Sequence, residues 1–448
     1  MERTYIGDLG GHIESEVRIA GWVDVARNQG KMAFFDFRDT TGYVQGVVFG
    51  KPEVLEIAKE LRSEWVVSVI GIVHKRPEKM VKEGIKNGDI ELEITAIEVL
   101  AKAEIPFDLN EETNLITELD NRPYVLRNKK NRSIFKVQSE ILNGFRDSLT
   151  ARGFREFQAP KIVGGDAEGG GNVYEVDYFG TTAGLATSPQ LYKQMMVGVY
   201  ERVFTTGNVF RAEKHATSRH INEYTSLDYE FGFIKDHTTV MDMHESIMRD
   251  VVAHVTATCA EEFTQFSVAA PTVPVGAFPR MKLREAQELL KKEYGIDAIG
   301  EPDLEPEHER LLCQYASEKL NSDFIFVTHY PTSKRPFYTY EDENDPGFTN
   351  SFDLLFRGVE ITTGGQRRHT RELLIAGLTM KGLDPEKFSF YLQAFTVGMP
   401  PHGGIGMGLE RVTQKFLGLS NVKEATLFPR EINRIDTLLS KDTDQSAD

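Results

Sequence analysis

Five stretches of the sequence gather residues whose types and spacing could do chemistry. The first runs from Val209-Phe210-Arg211-Ala212-Glu213 through a polar loop, Lys214 to Asn222, into Glu223 to Phe233. It reads as strand, loop, strand. In the second strand Leu227, Tyr229, Phe231 and Phe233 alternate onto one face, and Ser226, Asp228 and Glu230 onto the other. A loop rich in arginine and histidine beside a polar strand face suits an anionic ligand. Arg211, Arg219 and His220 could hold phosphates, with bidentate geometry open to arginine. The alternative for the same residues is a surface hairpin with a solvated face.

The second stretch is Phe352-Asp353-Leu354-Leu355-Phe356-Arg357-Gly358-Val359-Glu360. Asp353 and Glu360 are seven apart, so strict alternation puts them on opposite faces unless Gly358 marks a bulge that re-aims one. Two carboxylates near a triphosphate would hold Mg2+, which takes few protein oxygens and fills its shell with phosphate and water. The alternative is an exposed acidic strand. Thr362-Thr363-Gly364-Gly365-Gln366-Arg367 follows and offers close backbone approach and a cation. The third stretch, His402-Gly403-Gly404-Ile405-Gly406-Met407-Gly408-Leu409-Glu410-Arg411, lacks the Gly-Lys-Ser/Thr ending of a Walker A loop. Alone it reads most simply as a tight turn before a helix. The fourth, Thr187-Ser188-Pro189-Gln190-Leu191-Tyr192-Lys193-Gln194, carries a lysine that in isolation is a surface residue. The fifth, the glycine-rich segment from Gly164 to Gly171, is a flexible loop that could act as a lid.

These residues need a scaffold, and 448 residues suffice for two or three domains. Hydrophobic residues at 40% and charged residues at 27% are ordinary for a globular chain. The longest apolar run, near Val66–Val73, is far short of the ~20 residues that span a bilayer. The N-terminal residues show no apolar signal segment, so a cytoplasmic setting without membrane attachment is expected. Two cysteines, Cys259 and Cys313, make neither a disulfide framework nor a four-cysteine zinc site. A net charge of −16 weighs against non-specific polyanion binding, though local patches can still grip phosphate.

Residues 1–105 read as five short strands: Val17–Val25, Met32–Phe37, Tyr43–Val48, Val66–Val73 and Ile90–Val99. A helix over Pro52–Arg62 falls between the third and fourth. That order predicts a small barrel of the OB type rather than a sandwich. Its loops carry Arg27 and Lys31, and then His74, Lys75, Arg76, Lys79, Lys82 and Lys86. Residues 106–132 read as a hinge. Six positive charges from Arg122 to Lys136 are either a solvated face or phosphate contacts. Residues 133–440 mix helices and strands. A helix starts at Ser133 on Ile134, Val137, Ile141, Phe145 and Leu149, and Gly153 ends it. Arg280–Gly295 and His308–Leu320 are expected as helices. Val203–Arg211, Glu223–Ile234, Asp323–His329, Ser351–Thr362 and Phe388–Val397 are expected as strands, in an α+β domain with an antiparallel sheet. Residues 441–448 are expected to be a disordered tail.

Together and in this order, the stretches resemble class II aminoacyl-tRNA synthetases. Phe154-Arg155-Glu156-Phe157 with Pro160 looks like motif 1, the dimer-interface element. Phe210-Arg211-Ala212-Glu213 through Glu230 looks like motif 2, and Gly406-Met407-Gly408-Leu409-Glu410-Arg411 like motif 3. An OB barrel ahead of such a domain is similar to the aspartyl, asparaginyl and lysyl subgroup, and the resemblance spans roughly residues 15–435. Ser188-Pro189-Gln190-Leu191-Tyr192-Lys193-Gln194 looks like the aspartyl version, whose lysine meets the substrate's side-chain carboxylate. Asparaginyl members lack that lysine. The 176 residues from Phe231 to Gly406 are too few for the large bacterial insertion, so the chain looks like the compact archaeal and eukaryotic type. Arg76-Pro77-Glu78-Lys79-Met80-Val81 looks more bacterial, and Thr187, Thr362-Thr363 and the Gly169–Gly171 run also depart from the common pattern.

The resemblance implies an ATP site in which Arg211 meets the α-phosphate and Arg411 the γ-phosphate. Arg219 and His220 would assist, Glu213 would lie at the adenine end, and Glu360 and Gly408 would share the site. It implies an aspartate site of Glu168, Gln190, Lys193, Asp228, Thr363 and Arg367, with Arg368 as the alternative arginine. Arg211, Arg411 and Glu360 would carry catalysis, and Asp353 and Glu360 would hold Mg2+. Phe34 and Gln45 would read the anticodon, leaving Phe35 and Phe37 inside the barrel. The implied partners are ATP, L-aspartate, the aspartate tRNA and a second copy of the chain in a homodimer. Charging of the asparagine tRNA as well, completed by an amidotransferase, stays open. The rivals are an asparaginyl enzyme, which Lys193 argues against, and a catalytically silent RNA-binding paralogue, which intact Arg211, Glu213, Glu360 and Arg411 argue against. An amide-forming paralogue without the barrel is a third.

Overall fold

The computed structural model of the chain describes residues 1–82, 84–109, 111, 113–165, 172–214 and 217–435. It divides into two compact units, Met1–Glu112 and Thr113–Asp448. The expected disordered tail lies outside the described residues, as does most of the expected lid, residues 166–171.

The first unit is a closed barrel. Its strands are β1 (Glu16–Asn28), β2 (Met32–Arg38), β3 (Tyr43–Phe49), β4 (Val66–Lys75) and β5 (Ile90–Ala101), and α1 (Pro52–Glu60) follows β3. Around the barrel the order is β1-β2-β3-β5-β4, the architecture expected of an OB fold. Alternation sets which side chains face in: Val17, Ile19, Phe35, Phe37, Val69, Leu92 and Ile94 fill the interior. Phe35 and Phe37 stack with ring centres 5.6 Å apart. Phe34 takes the opposite face of the same strand and is half-buried.

Among its described residues the second unit carries helices α2 (Leu115–Asp120), α3 (Arg122–Val125), α4 (Lys129–Ala151), α5 (Gln190–Tyr200), α6 (His237–Thr258), α7 (Ala260–Gln265), α8 (Leu283–Tyr294), α9 (Pro306–Leu320), α10 (Arg371–Met380), α11 (Ser389–Leu392) and α12 (Leu409–Phe416). Its strands are β6 (Arg155–Glu156), β7 (Ile162–Val163), β8 (Glu175–Tyr178), β9 (Thr181–Leu185), β10 (Arg202–Phe210), β11 (Glu223–Gly232), β12 (Arg280–Lys282), β13 (Phe324–Thr328), β14 (Ser351–Phe356), β15 (Val359–Gln366) and β16 (His402–Gly408). Eight of them form one sheet in the order β12-β13-β14-β15-β16-β11-β10-β6, and β7-β9-β8 form a small second sheet. The large sheet is antiparallel except for a parallel pair at each edge, β12 with β13 and β6 with β10. One face packs on α4 and α6. Ile134, Val137, Ile141 and Phe145 meet Val240, Ile247 and Met248, together with Leu227, Tyr229, Ile405 and Met407 from the strands. The other face carries Ser226, Asp228 and Glu230, and they are buried rather than solvated.

Several expectations are corrected, and α4 starts at Lys129 rather than at Ser133. Ser351–Thr362 is a hairpin rather than one strand, because Arg357 (φ 46°) and Gly358 (φ 88°) turn the chain. Alternation along a single strand therefore does not relate Asp353 to Glu360. Phe388–Val397 is helical, not extended; Tyr391, Leu392 and Phe395 recur at helical spacing and pack on Leu374 and Phe337, so tertiary packing overrides β propensity. Arg280–Lys282 is an edge strand and the helix starts at Leu283, with Gly295 closing it in the left-handed conformation. Phe233 leaves the inward row of β11: it follows the strand's end, at φ 60°, and is 73% exposed.

The glycine run is a strand, not a tight turn. A Cβ at Gly404 would stand 2.0 Å from the Tyr229 carbonyl oxygen and 2.4 Å from Glu230 Oε2. No side chain fits where β16 passes β11 so closely. Gly404→Ala should therefore cost about 3 kcal/mol through forced strand displacement, read as a lower urea midpoint. Gly164→Ala, where a Cβ meets nothing within 4 Å, should leave the midpoint in place.

Candidate active site

A cavity of about 440 Å3 opens on the polar face of the large sheet. Arg211, Glu213, Arg219, His220, Glu360, Gly408 and Arg411 line it, and so do Gln190, Lys193, Asp228, Thr363 and Arg367. Residues spread over more than 200 positions meet there because strand register aligns them. Asp353 pairs with Thr363, Thr363 with Gly406, and Gly406 with Asp228, in one row across four strands. Glu168 lies outside the described residues.

At one end four charges share a closed volume. Lys193 is 1% exposed, far from the surface residue its isolated type suggests. It stands on the inner face of α5 with Gln190, Gln194 and Val197, at helical spacing. Its Nζ donates to Asp228 Oδ1 and to the Ile405 carbonyl, both at 2.8 Å, and lies 3.6 Å from Glu230 Oε2. Arg367 Nε donates to Glu230 Oε1 at 2.8 Å, and its Nη2 to the Gly404 carbonyl at 2.9 Å. The Ser226 hydroxyl holds the other oxygen of Asp228. Arg368 is turned away, donating to the carbonyls of Thr339 and Leu373. Of the two adjacent arginines, Arg367 is the one at this cavity.

A neutral chain fixes the side-chain amides beside the charges. Gln190 Nε2 donates to Gln194 Oε1 at 3.0 Å, and Gln194 Nε2 lies 3.0 Å from His402 Nε2. His402 Nδ1 lies 2.8 Å from the Pro400 carbonyl. Burial pushes His402 down to about 4. The neutral ring then donates from Nδ1 to Pro400 and accepts at Nε2 from Gln194. Glu230, Gln194 and His402 escaped the sequence assignment. The polar face of β11 pointed to Glu230, whereas nothing local marked His402 as the partner of α5.

The other end holds the arginines. Asn222 is buried between the hairpin strands, and its amide donates to the carbonyls of Arg211 at 2.7 Å and Glu213 at 2.9 Å. That clamps the start of the loop against its end. The Arg211 guanidinium lies 5.8 Å from the Tyr224 ring centre. Arg219 Nη1 lies 3.0 Å from Glu309 Oε2, and Arg411 Nη1 donates to the Glu360 carbonyl at 2.8 Å. The positive run from Arg122 to Lys136 is partly internal: Arg122 is 2% exposed and donates to the carbonyls of Glu424, Thr426 and Leu427.

Glu360 faces the cavity, its Oε1 accepting from the Thr363 hydroxyl at 2.8 Å. Asp353 lies behind it and outside the cavity wall, with Oδ2 accepting from Arg335 Nη2 at 2.7 Å. Burial pushes Asp353 up to about 6, and the Glu360 charge adds to this against the pull of Arg335. Burial acts the same way on Glu360, but Arg411, the Thr363 hydroxyl, Arg335 and Arg211 outweigh it and hold Glu360 low. Among the described residues no three His, Cys, Asp or Glu side chains converge on one point. Two neighbouring carboxylates fit a cation such as Mg2+ that draws most of its oxygens from phosphate and water.

In the barrel, Phe34 and Gln45 share the outer face of β2 and β3, since Phe34 pairs with Val47 and Gln45 with Asp36. Gln45 Oε1 accepts from Arg76 Nη2 at 2.7 Å. His74 pairs with Glu14 and Glu93, so that part of the second basic loop is already neutralised within the barrel.

Glu410 is a buried carboxylate on α12 that accepts the Thr225 backbone N–H at 3.0 Å on both oxygens, yet burial pushes it from 4.5 up to about 7. Its folded value lies above its unfolded value, so the folded state binds the proton more tightly. Its contribution to stability is then largest below pH 4.5 and declines as pH rises through about 7. The stability of wild type minus that of Glu410→Gln, from urea midpoints, should fall over that window and level off above it.

Comparison with known proteins identifies the family. Residues 114–432 fit the family described as tRNA synthetases class II (D, K and N), and residues 17–100 fit the OB-fold nucleic acid binding domain. A relative from Deinococcus radiodurans named aspartate–tRNA(Asp/Asn) ligase is 42% identical, covering 97% of this chain and 99% of its own. One of the same name from Thermus thermophilus is 43% identical, with the same coverage of both chains. The crystal structure of asparaginyl-tRNA synthetase from Pyrococcus horikoshii with asparaginyl-adenylate superposes with a TM-score of 0.89 at 31% identity, over 97% of this chain and 100% of that one. The chain belongs to the class II aminoacyl-tRNA synthetases of the aspartyl, lysyl and asparaginyl subgroup.

Proposed function

We propose that the chain is an aspartate–tRNA ligase, and the buried Lys193 beside Arg367 is the observation that carries this reading. Two cations at the closed end of the cavity suit a substrate whose side chain ends in a carboxylate. An amide could not replace the charge it displaces, so asparagine would leave a buried ion short of a partner. The substrate ammonium group would take Asp228, with Glu168 completing its surroundings, while Gln190 and Thr363 orient the amino acid.

In the reaction, an oxygen of the aspartate α-carboxylate attacks the α-phosphorus of ATP. The bond to the bridging oxygen breaks and pyrophosphate leaves. The 2′- or 3′-hydroxyl of the terminal tRNA ribose then attacks the acyl carbon, and AMP leaves. Arg211 would steady the α-phosphate, and Arg411, Arg219 and His220 the γ-phosphate end. Glu213 and Gly408 would border the adenosine. Asp353 and Glu360 would hold Mg2+, whose charge would offset that of the leaving pyrophosphate. The protein contributes position and compensating charge, without a covalent intermediate.

The relatives named for both tRNAs favour charging of the asparagine tRNA as well, which would place an amidotransferase downstream. Phe34 would stack on an anticodon base with Gln45 beside it. The same reading makes the protein a cytoplasmic homodimer built around residues 154–160. Among the described residues no helix is long and apolar enough to cross a membrane.

Two tests follow. Purified protein should drive ATP–pyrophosphate exchange with aspartate but not asparagine, and Lys193→Met should lower kcat/KM for aspartate about 100-fold, the worth of ~3 kcal/mol of charged hydrogen bonding. Exchange with asparagine alone would favour the asparaginyl alternative. Labelled aspartate should load transcripts bearing either anticodon, and loading of the aspartate transcript alone would mean a discriminating enzyme. Phe34→Ala should weaken loading at least tenfold and leave the exchange reaction intact.

A further inference from the structure

We infer that Glu309 is a positioning residue for Arg219, fixing the arginine that meets the far end of the triphosphate. The inference deepens the proposed function and rests on its placing of Arg219 at the γ-phosphate. Arg219 belongs to the loop between β10 and β11, and two of its three guanidinium nitrogens are engaged. Nη1 lies 3.0 Å from Glu309 Oε2, and Nη2 donates to the Gly358 carbonyl at 3.2 Å. The carboxylate is itself anchored. Glu309 lies in the first turn of α9, its side chain is 13% exposed, and the Glu360 backbone N–H donates to the same Oε2 at 3.3 Å.

Arg219 lines the cavity while it is clasped, and Glu309 does not. The carboxylate therefore acts through the arginine rather than on a ligand, and the clasp holds the arginine in place rather than withdrawing it. Arg411 reaches the same support through the Glu360 carbonyl. Residues 358–360, at the turn and start of β15, thus moor both arginines of the phosphate end. A long side chain on a loop surrenders rotamer freedom when it grips a ligand. A clasp made during folding removes much of that loss from the binding step. Glu309 stands in α9, about ninety positions from Arg219, and only the packing of that helix behind the hairpin brings it there.

Steady-state exchange kinetics test this. Glu309→Gln should raise KM for ATP about five-fold, while kcat and KM for aspartate stay within about two-fold. In an Arg219→Ala background the same substitution should change KM for ATP no further, since the clasp has no second member. Glu309→Asp, which keeps the carboxyl group on a shorter arm, should fall between wild type and Glu309→Gln, and it serves as the test if the glutamine variant is insoluble. An unchanged KM for ATP, equal increments in both backgrounds, or a parallel rise in KM for aspartate would each overturn the inference. Wild-type protein that catalyses no aspartate-dependent exchange would overturn the proposed function and this inference with it. Normal wild-type exchange with unaltered Glu309 variants would overturn the inference alone.

Discussion

An ion removed from water must meet its opposite within a few ångströms, or it destabilises the fold by several kcal/mol. Lys193, Arg367, Asp228 and Glu230 obey that constraint as a set: each is at most 5% exposed, and each touches a partner of opposite charge. Much of the second unit is arranged to let them do so. Helix α5 places Lys193 on its inner face among glutamines, and β11 gives one whole face to polar side chains. Strand β16 gives up side chains beside that face, so Glu230 lies against Gly404 and Asp228 against Gly406. Two positive and two negative charges balance without a ligand. A zwitterionic substrate with a second carboxylate could insert by exchanging partners, with no ion left bare.

The phosphate end follows a different logic. Arg211 and Arg219 are partly exposed, and an ion pair in water contributes little to stability, so its worth here is in placing a side chain. Order there comes from anchored partners: Asn222 ties the loop, the backbone-held Glu309 carboxylate and the Gly358 carbonyl receive Arg219, and the Glu360 carbonyl receives Arg411. The strand-to-strand turn that corrects the single-strand reading is thus the feature to which those arginines attach. It also brings Asp353 and Glu360 together from two strands, a juxtaposition that a single strand would have allowed only through a bulge at Gly358.

The sequence by itself pointed to the barrel, because five short strands with a helix between the third and fourth follow the order of an OB fold. It determined that Phe35 and Phe37 point inward and Phe34 outward, and which stretches belong to one chemistry, because motif order and spacing carried a family resemblance. It misjudged Phe388–Val397 and the glycine run, where the deciding neighbours are remote: Leu374 and Phe337 for the first, Tyr229 and Glu230 for the second. Only the tertiary structure decided which partners the buried Lys193 meets, that Arg367 rather than Arg368 reaches the cavity, and that Glu230, Glu309, Arg335 and His402 support the site. The physical reason is range. Periodicity and propensity report a residue's relation to its chain neighbours, whereas the burial and pairing of a charge depend on atoms tens to hundreds of positions away.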